Sequence, residues 1–511
     1  MTEATLDRLY DVSQDRESQR AALRSGSIPV AVYGLGKMGL PLASVYAERT
    51  GSVIGVDIDE DVVSSVNDGR CHVDGEPGLA DLVAEQVSRE RLEATSDGTE
   101  AARRASIHVV LVPTLVTATK QPDLSVLEDV IADVAVGLAP GDLVIIESTV
   151  PPRTARDVVA PTLVSRSGLD PGTFGVAVCP ERTSSGTALR DIRGRYPKVV
   201  GGIDRESTRA AAVLYEEVTG GTVHVVSDAT TAEAVKVFEG IYRDVNIALA
   251  NELATTSGEL GISVREAIAT ANELPVCDLH EPGPGVGGHC IPNYPHFLRH
   301  RTETPTPLTA TARRVNERMP TFTVERLESG LDEAGIALED ATVAVLGLTY
   351  RPGVAELRTA PGLDVAIHLE ARGATVYAID PLVDAPAIES ELEETRPSGH
   401  LEQASGPTAA NSNSTTTVVE LDALSSIDLD AIVLVTPHEQ FASIEWDRLD
   451  PVYLLDGRDA LELESTHHRY EVLGGSVGPT GSDGGTSEWW DVGRRSIADA
   501  ETTEQITPSQ E

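Results

Sequence analysis

The first candidate for chemistry is a glycine-rich turn, GLGKMG at residues 34–39, between an apolar strand and a helical segment. In such a turn Gly34 permits the tight bend, Gly36 lets the backbone approach a pyrophosphate, and Gly39 allows helix and strand to pack closely. The next predicted strand ends at Asp57, about 20 residues on, where a carboxylate can hold a ribose 2′-hydroxyl and would repel a 2′-phosphate. The pattern predicts an NAD site; a glycine turn without a cofactor is the alternative.

The second candidate is a cysteine in the sequence GPGVGGHCIP, where Pro and Gly break all regular structure. Cys290 would lie there in a backbone cradle with little side-chain bulk around it. Such a cradle suits a nucleophile that attacks a carbonyl carbon while nearby N–H groups receive the oxyanion. A buried, inert cysteine is the alternative, and the loop by itself favours neither. We interpret His289 as a structural neighbour and not as a base.

The third candidate is Lys236, because lysine is scarce in this chain and occurs at only four positions. A lysine retained among so many arginines indicates chemistry that arginine cannot supply, since an ammonium can lose its proton or hold a water. A surface lysine is the alternative. The surrounding segment has apolar residues at i, i+3, i+4 and i+7 over several turns, which predicts one long helix that also carries Arg243.

Two further candidates lie at the ends of predicted strands of a parallel sheet, where α/β proteins place their ligands. The sequence CPER at 179–182 presents Glu181, which could serve as a general acid or base if it is desolvated. The sequence ESTVPP at 147–152 ends the preceding strand and presents a hydroxyl to the same crevice.

The elements that must position these residues predict an α/β protein. We expect two Rossmann-like, doubly wound parallel-sheet domains joined by a long central helix within a helical middle domain. Further strands of the first domain are predicted at 107–113, 142–149 and 175–180. The predicted divisions are a polar helix at 1–27, the NAD-binding domain at 28–205, the helical domain with the cysteine loop at 206–330, the second α/β domain at 331–465 with a mobile insertion at 398–417, and an acidic, disordered tail at 466–511.

The charge of the chain excludes several classes of partner. Among 511 residues, 81 acids against 40 bases give a net charge of −41, which repels phosphate backbones and anionic lipid. We therefore expect no nucleic-acid and no membrane partner, and a nucleotide substrate would need a local cationic pocket. Acid excess with scarce lysine indicates adaptation to a salty cytosol; an acidic mesophilic protein is the alternative.

The cysteines and the apolar runs bear on compartment and metal content. The four cysteines are widely spaced, with no C-x-x-C pair and no zinc-type cluster, so we expect free thiols and no metal. No apolar run approaches the ~20 residues that span a bilayer. The charged first segment, MTEATLDRLYDVSQDRESQR, is not typical of a signal peptide. These observations predict a soluble, cytoplasmic protein.

Taken together, the motifs resemble those of the nucleotide-sugar 6-dehydrogenases, the UDP-glucose/UDP-N-acetylmannosamine dehydrogenase family. The resemblance covers about residues 28–465, and the motifs stand in family order. They are GLGKMG, ESTVPP, CPERTSSGTAL, the helix AEAVKVFEGIYRDVNIALANEL, GPGVGGHCIP and GLTYRPGVAELRTAP.

The resemblance implies a four-electron oxidation of a sugar C6 alcohol that consumes two NAD. Cys290 would form a thiohemiacetal and then a thioester, which water hydrolyses to the uronate. Lys236 would stabilise the alkoxide and the oxyanion, Thr149 would help to hold a water, and Glu181 would be the acid/base of hydrolysis.

The resemblance also implies a set of binding residues and a homodimer. The middle domain would form the dimer contact and the second α/β domain would bind the UDP-sugar, with Arg351 and Arg358 meeting substrate and cofactor across the subunit interface. The cofactor site implied in this way is Gly34, Leu35, Gly36, Met38, Gly39, Asp57, Thr114, Thr149 and Arg358. The substrate site implied in this way is Glu181, Arg182, Lys236, Arg243, Gly287 and Arg351.

The chain departs from the family pattern at three positions. Tyr294 stands four residues after the cysteine, where the family usually has Asp, and Gly240 stands four residues after the lysine, where it usually has Asn. Arg351 replaces the lysine of the FKP motif. The first two changes remove partners of the catalytic water and the substrate. Because the Cys, Lys and Glu positions are intact, activity is still expected.

The loops favour a UDP-N-acetylhexosamine as substrate, with UDP-ManNAc ahead of UDP-GlcNAc. The sequences PER, RDVNIALANEL and GPGVGGHC resemble that branch more than the UDP-glucose branch, whose loops usually have PEFLREG and FGGSC. Three alternatives stay open: a UDP-glucose 6-dehydrogenase, a two-electron 3-hydroxyacid dehydrogenase, and a non-catalytic NAD-binding homologue.

Overall fold

The computed structural model describes residues 8–11, 13–396, 416–463 and 466–475. The N-terminal domain is built on short strands. Its strands are β1 (Val30–Tyr33), β2 (Val53–Val56), β3 (Leu92–Thr95), β4 (Ile107–Val110), β5 (Leu115–Val116), β6 (Pro122–Asp123), β7 (Leu143–Ile146), β8 (Gly175–Val178), β9 (Lys198–Gly202) and β10 (Val223–Val225). Five of them, β1, β2, β4, β7 and β8, are largely apolar and buried along their whole length, as a sheet covered on both faces requires.

The strands of this domain form one large sheet in the order β10-β9-β8-β7-β4-β1-β2-β3, beside a small β5-β6 hairpin. Neighbouring strands of the large sheet are parallel except at β8 and β9, which are antiparallel. Apolar clusters cover both faces. The helices of this region are α1 (Arg16–Arg24), α2 (Gly39–Thr50), α3 (Glu60–Asn67), α4 (Leu79–Ser88), α5 (Gly98–Arg104), α6 (Ser125–Gly137), α7 (Ala160–Ser167), α8 (Ala188–Arg190) and α9 (Arg205–Val218).

The middle of the chain is helical, as its periodicity predicts. Its longest helix starts at an Asp228 cap, whose carboxylate accepts the N–H of Thr231 at 2.7 Å. The helices here are α10 (Ala229–Thr255), α11 (Ser257–Leu260), α12 (Val264–Ala271), α13 (Tyr294–His300) and α14 (Pro307–Glu333).

The two long helices, α10 and α14, pack along each other around a buried polar cluster. Asp244 accepts hydrogen bonds from Arg313 and Asn316, both at 2.8 Å. Asn316 in turn accepts the side-chain amide of Asn251 at 2.9 Å. Because buried polar groups are held only where their partners are correctly placed, this cluster sets the register of the two helices.

The C-terminal domain is a second parallel sheet, in the order β13-β12-β11-β14-β15-β16. The prediction of two Rossmann-like domains and a helical middle is therefore confirmed. The elements are β11 (Thr342–Leu346), α15 (Pro361–Ala371), β12 (Thr375–Ile379), α16 (Ala385–Thr395), β13 (Thr417–Val418), β14 (Ala431–Leu434), β15 (Tyr453–Asp456) and β16 (Arg469–Val472).

Three boundaries differ from those predicted. The first sheet continues through β10 and so extends beyond residue 205, because α9 returns the chain to the sheet edge. The expected insertion at 398–417 ends in β13, and its residues up to 415 lie outside the described part of the chain. The expected tail begins later than 466, because β16 pairs in parallel with β15. Residues 476–511 lie outside the described part.

Candidate active site

The glycine-rich turn joins β1 to α2 and leaves an open cradle. Gly34 has a φ of +96°, and a Cβ there would lie 2.3 Å from the carbonyl oxygen of Leu111. A Cβ at Gly39 would lie 1.8 Å from the Gly34 oxygen, so this position must also lack a side chain. At Gly36 no described atom lies within 4 Å of a Cβ. The turn therefore leaves space where a pyrophosphate can approach the backbone and the start of α2.

The second strand supplies the carboxylate that belongs with this cradle. Asp57 comes directly after β2, is half-buried, and accepts the N–H of Leu35 at 2.8 Å and of Asp59 at 3.1 Å. Met38 lies on the other side of the turn, where its sulfur accepts the Thr183 hydroxyl at 3.1 Å. The open cradle and the carboxylate at the strand end fit NAD.

The loops after β4 and β7 are fastened to each other and present one threonine to the site. Ser148 accepts the N–H of Val112 and donates to its carbonyl, both at 2.8 Å. The Thr114 hydroxyl donates to the carbonyl of Thr149. These backbone contacts leave the Thr149 hydroxyl facing inward, 3.3 Å from the hydroxyl of Tyr294.

The cysteine loop presents Cys290 at the start of α13. The Cys290 carbonyl accepts the N–H groups of Asn293 and Tyr294, each at 3.1 Å, which closes a tight turn. The Cys290 side chain is exposed, whereas Cys179 is fully buried. The structure therefore favours the accessible thiol over the buried, inert cysteine that the sequence also allowed.

A segment of the C-terminal domain, residues 348–360, forms the opposite wall, and we name it the arm. Tyr350 of the arm packs on the cysteine loop so tightly that a Cβ at Gly287 would lie 2.8 Å from its Cβ, and one at Gly288 would lie 2.9 Å from its ring. The Thr359 hydroxyl donates to the Gly288 carbonyl at 3.1 Å. The loop that carries the thiol is thus shaped by the C-terminal domain.

Lys236 on α10 lies where the cysteine loop and the Glu181 loop meet. Burial lowers the pKa of the Lys236 ammonium, while the neighbouring Cys290, Glu181 and Glu239 act in the opposite direction. Within the described residues Lys236 has no carboxylate within salt-bridge distance. Its ammonium protons are therefore available to a bound oxyanion.

Glu181 belongs to a buried chain of charges that sequence reasoning missed. The Lys198 ammonium donates to Glu147 at 2.6 Å and to Glu181 at 3.3 Å. Glu147 also accepts the hydroxyls of Tyr46, at 3.0 Å, and of Tyr215. One ammonium thus pairs with two carboxylates, of which Glu147 is fully buried and Glu181 is partly buried.

The pKa values of the two carboxylates are pushed apart by this arrangement. Burial raises the pKa of Glu147 to about 7, although Lys198 opposes the shift. Burial also raises the pKa of Glu181, but Lys198 and several hydrogen bonds outweigh it and leave that pKa below its ordinary value. Glu181 therefore stays ionised at neutral pH, which suits a base.

The four predicted arginines lie around this centre in different ways. Arg182 is paired with Glu239 of α10, at 2.6 Å, and so ties the Glu181 loop to the helix that carries Lys236. Arg351 of the arm reaches the Ser185 carbonyl of the same chain at 3.4 Å. Arg243 and Arg358 are exposed at the edge of the site.

Glu356 is a further arm residue that the sequence did not single out. Its carboxylate lies 3.9 Å from the Lys37 ammonium and 3.6 Å from the His289 ring. The hydrogen bond from His289 is the largest of the influences that lower the pKa of Glu356. Glu356 thus links the glycine-rich turn with the cysteine loop through Lys37 and His289.

Three residues of the site, Lys198, Glu147 and Glu356, were not predicted, and they differ in whether the sequence could have indicated them. Lys198 could have been found, because the scarcity of lysine that pointed to Lys236 applies equally to it. Glu147 lies within ESTVPP, yet nothing local shows that it is buried. Glu356 had no sign, since its partners lie in two other domains.

The structure brings Cys290, Lys236, Glu181 and Thr149 to one place, beside the open turn at Gly36. An exposed thiol next to an ammonium can add to a carbonyl carbon, with the cation receiving the oxyanion. An ionised carboxylate beside them can take a proton from water. The arrangement can therefore support covalent oxidation of an aldehyde followed by hydrolysis.

The chain matches three models of the UDP-glucose/GDP-mannose dehydrogenase family. The NAD binding domain matches residues 28–219, the central domain matches residues 230–318, and the UDP binding domain matches residues 344–463. The cradle at Gly36 lies in the first of these, Lys236 and Cys290 in the second, and the arm in the third.

Several proteins are similar to this chain over most of their own length. A UDP-N-acetyl-D-mannosamine dehydrogenase of Pyrococcus horikoshii is 34% identical over 85% of this chain and 96% of its own length. An NDP-N-acetyl-D-galactosaminuronic acid dehydrogenase of Ralstonia nicotianae is 33% identical over 84% of this chain and 95% of its own length. The solved structure of UDP-D-ManNAc dehydrogenase from Pyrococcus horikoshii matches with a TM-score of 0.77 at 32% identity, covering 88% of this chain and 100% of that one.

Proposed function

Because this chain belongs to the UDP-glucose/GDP-mannose dehydrogenase family, we propose that it oxidises the C6 hydroxyl of UDP-N-acetyl-D-mannosamine to the uronate. It is an NAD-dependent nucleotide-sugar dehydrogenase, and the proposal concerns its sugar and its covalent mechanism. The convergence of Cys290, Lys236 and Glu181 carries the mechanism. The sugar is supported by the relatives at 34% and 33% identity, whose names contain N-acetylhexosamines.

The overall reaction balances with two equivalents of NAD and one of water. The alcohol R–CH2OH, two NAD⁺ and H2O give R–COO⁻, two NADH and three protons. NAD, when bound, accepts the hydride that leaves C6 in each oxidation. We propose that the residues that hold NAD are Gly34, Leu35, Gly36, Met38, Gly39, Asp57, Thr114, Thr149 and Arg358.

In the first oxidation the protein must manage an alkoxide. As C6 loses hydride, its oxygen loses a proton, and the Lys236 ammonium faces that developing charge. Burial lowers the pKa of Lys236, so the ammonium also parts with a proton more readily than an exposed lysine.

In the second oxidation Cys290 holds the aldehyde as a covalent adduct. Its sulfur adds to C6, the oxygen becomes a thiohemiacetal hydroxyl, and loss of hydride and a proton leaves the thioester. The exposed position of the Cys290 side chain allows this attack. Lys236 stabilises the oxyanion on both sides of the step.

Hydrolysis of the thioester falls to Glu181. Its carboxylate takes a proton from water as the water attacks C6, the C–S bond breaks, and the sulfur leaves as a thiolate, which then takes up a proton. Lys198 keeps Glu181 ionised between turnovers. Because Glu147 competes for the same ammonium, protonation of Glu147 strengthens the pair between Lys198 and Glu181.

Cations for the UDP group come from the rim of the site. Arg351 and Arg243 both lie near Tyr350, and their charges lower the pKa of that phenol, although burial raises it more. Arg182 and Gly287 complete the predicted substrate site at the Glu181 and cysteine loops. Arg351 and Arg243 supply the local positive field that the acidic chain needs to accept a nucleotide diphosphate.

The proposal includes a homodimer formed along α10. Four apolar side chains on one face of this helix are 36–55% exposed in a single chain, which is costly for residues of this type. They are Phe238, Tyr242, Leu249 and Leu253. Leu249→Glu combined with Leu253→Glu should yield monomers in light scattering after size exclusion; unchanged dimers, or a monomeric parent, would contradict it.

Within the described ranges, no helix is long and apolar enough to cross a membrane.

The experiment counts NADH per sugar consumed, with UDP-ManNAc, UDP-GlcNAc and UDP-glucose side by side in high-salt buffer. Two NADH on UDP-ManNAc are expected. Two NADH on UDP-glucose with none on the other sugars would identify a UDP-glucose dehydrogenase instead. One NADH per sugar would contradict the thioester, and none from a folded chain that binds NAD would indicate a non-catalytic homologue.

The matched variant is Cys290→Ser, with Cys277→Ser as control because Cys277 is a half-buried cysteine outside the site. Cys290→Ser should reduce formation of the uronate by at least about 1,000-fold, while Cys277→Ser leaves it unchanged. Full turnover by Cys290→Ser would favour a two-electron dehydrogenase.

A further inference from the structure

Two residues that are distant in sequence, Gly240 and Tyr294, occupy one shared space beside the thiol. Gly240 lies on α10, one turn after Lys236, and Tyr294 is the first residue of α13. A Cβ at Gly240 would lie 2.0 Å from Cδ2 of the Tyr294 ring and 2.8 Å from Cε2. Since no side chain fits between them, the ring lies directly on the bare backbone of α10.

The ring is held firmly in this position. Tyr294 is 5% exposed, and its ring packs on Phe297 with centroids 5.8 Å apart. Val237 of α10 belongs to the same small apolar cluster. The position of the phenol is therefore set by packing on both helices and not by its hydroxyl alone.

The hydroxyl of this buried ring meets two groups of the active site. It lies 3.3 Å from the Thr149 hydroxyl, and Cys290 is a neighbouring group. The backbone N–H of Tyr294 also donates to the Cys290 carbonyl at 3.1 Å, which keeps the two residues together. Burial, and after it the neighbouring Cys290, raises the pKa of Tyr294 well above its ordinary value. The phenol therefore keeps its proton and acts as a donor.

We propose that Tyr294 is a catalytic residue that donates a hydrogen bond to the Cys290 sulfur, and that Gly240 provides the gap in α10 through which its ring reaches that place. Thr149 donates in turn to the phenol oxygen. This deepens the proposed function, on which its role in turnover rests.

The contact matters most when the sulfur carries charge. A hydrogen bond to an ionised acceptor is stronger than one to a neutral group. The sulfur is charged as it attacks the aldehyde and again as it leaves the hydrated thioester, and it is neutral in the thioester itself. Tyr294 therefore favours both steps in which the C–S bond forms or breaks.

The other charged groups around the sulfur come from different elements. Lys236 of α10 faces Cys290, with Glu181, Glu239 and Arg182 beyond it. Tyr350 of the arm faces it from the opposite side. Loss of the Tyr294 hydroxyl alone would leave all these groups in place, so its effect on the sulfur can be measured separately.

The test is Tyr294→Phe in the full chain, which keeps the ring and removes the donor. The rate at which iodoacetamide alkylates Cys290 is measured by peptide mass spectrometry at one neutral pH, without substrate. The rate should fall about threefold, because the proposed hydrogen bond is strongest to a charged sulfur and the charged sulfur is the form that attacks iodoacetamide. Alkylation of Cys277 in the same sample is the internal reference.

The matched control is Tyr453→Phe, which removes an equally buried hydroxyl, bonded to Glu471 in the C-terminal sheet. It should leave the Cys290 rate unchanged. If Tyr294→Phe leaves the Cys290 rate unchanged or raises it, the proposed contact is overturned and the ring only fills space.

A second variant tests the role of Gly240. In Gly240→Ala the new methyl group must displace the ring, so the Cys290 rate should fall as in Tyr294→Phe. The double variant should show no further loss, because both changes remove the same hydrogen bond. Additive losses would overturn the assignment of Gly240.

The outcomes separate this inference from the proposed function. Slower alkylation in Tyr294→Phe, with no NADH from any UDP-sugar in the parent, would reject the proposed function and keep the contact. Two NADH per sugar in the parent, with unaltered alkylation in the variant, would reject the inference alone.

Discussion

The two sheet domains begin with the same turn and use it differently. After the first strand of each, a glycine has a positive φ, +96° at Gly34 and +84° at Gly347. A carboxylate at the end of the next strand accepts N–H groups of the turn at 2.8 Å, Asp57 in one domain and Asp380 in the other. The shared frame is therefore a property of the strand-turn-helix unit and not of the cofactor.

The two turns differ in the length of chain between the glycine and the next helix. In the first domain only residues 35–38 separate Gly34 from α2, and the space above Gly36 is open. In the second the arm intervenes before α15, and Asp380 is 6% exposed. Lengthening one turn thus replaces a cofactor cradle with a wall for the neighbouring site.

We therefore expect Asp380, which is buried, to contribute more to the stability of the fold than Asp57, which borders the open cradle. Asp380→Ala is expected to lower the free energy of unfolding by about 3 kcal/mol, because it leaves the N–H groups of Leu348 and Thr349 and the His438 ring without their acceptor. Asp57→Ala should lower the free energy of unfolding by about 1 kcal/mol or less, since the Leu35 N–H can donate to water instead. Urea unfolding monitored by circular dichroism measures both, and equal losses would break the comparison.

The same contrast has a pH signature. Burial raises the pKa of Asp380, but His438 and the backbone N–H groups outweigh it, so the pKa lies below its ordinary value of 3.8. Its contribution to stability is therefore complete above pH 3.8 and is lost as the pH falls through the lower value of the folded state. The free energies of unfolding of the parent and of Asp380→Ala, plotted against pH, should converge in acid and differ at neutral pH. A difference between the two proteins that stays constant with pH would mean that the Asp380 carboxylate is not the source of the stabilisation.

The open cradle can be filled without strain. Gly36→Val should weaken NAD binding by about 100-fold while leaving the melting temperature without NAD unchanged, because the new side chain meets only the space that a pyrophosphate needs. Calorimetric titration with NAD measures the loss. Gly353→Ala on the arm is the control, since its surroundings are also open; it should leave NAD binding intact and lower stability slightly, because its φ is +72°.

The carboxylate of the open turn should act on cofactor choice. Asp57→Asn is expected to weaken NAD binding about tenfold and to reduce the preference for NAD over NADP, since it removes the charge that repels a 2′-phosphate. Dissociation constants for both dinucleotides check this. An unchanged preference would mean that another group sets cofactor identity.

The smallest effect is expected where the arm touches the first turn. Glu356 is partly exposed, and such ion pairs contribute little. Glu356→Gln should change the KM for NAD by about two- to threefold with kcat nearly constant. A loss above tenfold would show that the arm helps to shape the cradle, which would weaken the contrast between the two turns.

The features that could be predicted from the sequence are those that depend on residues close together in the chain. The turn at Gly34, the carboxylate of Asp57 and the helix that carries Lys236 each depend on residues a few positions apart. Lys198, in contrast, meets Glu147 and Glu181 because β9 runs antiparallel beside β8, and strand order is not written in any one segment.

The remaining misses have the same physical cause. The arm was recognised as a motif, but its packing on Gly287 and Gly288 depends on how two domains meet. β16 lies in a stretch whose polar composition resembles a tail, and only pairing with β15 makes it a strand. Contacts between distant segments decide both, so composition and periodicity could not show them.

The shared space of Gly240 and Tyr294 also constrains the history of this chain. With a Cβ 2.0 Å from the ring, the tyrosine can have appeared only after position 240 had lost its side chain. The opposite order passes through a chain whose active site is distorted. We therefore expect Gly240 without Tyr294 to occur among natural relatives, and Tyr294 without Gly240 to be absent from active ones. Loss of a side chain on α10 was thus required before a tyrosine on α13 could lie beside Cys290.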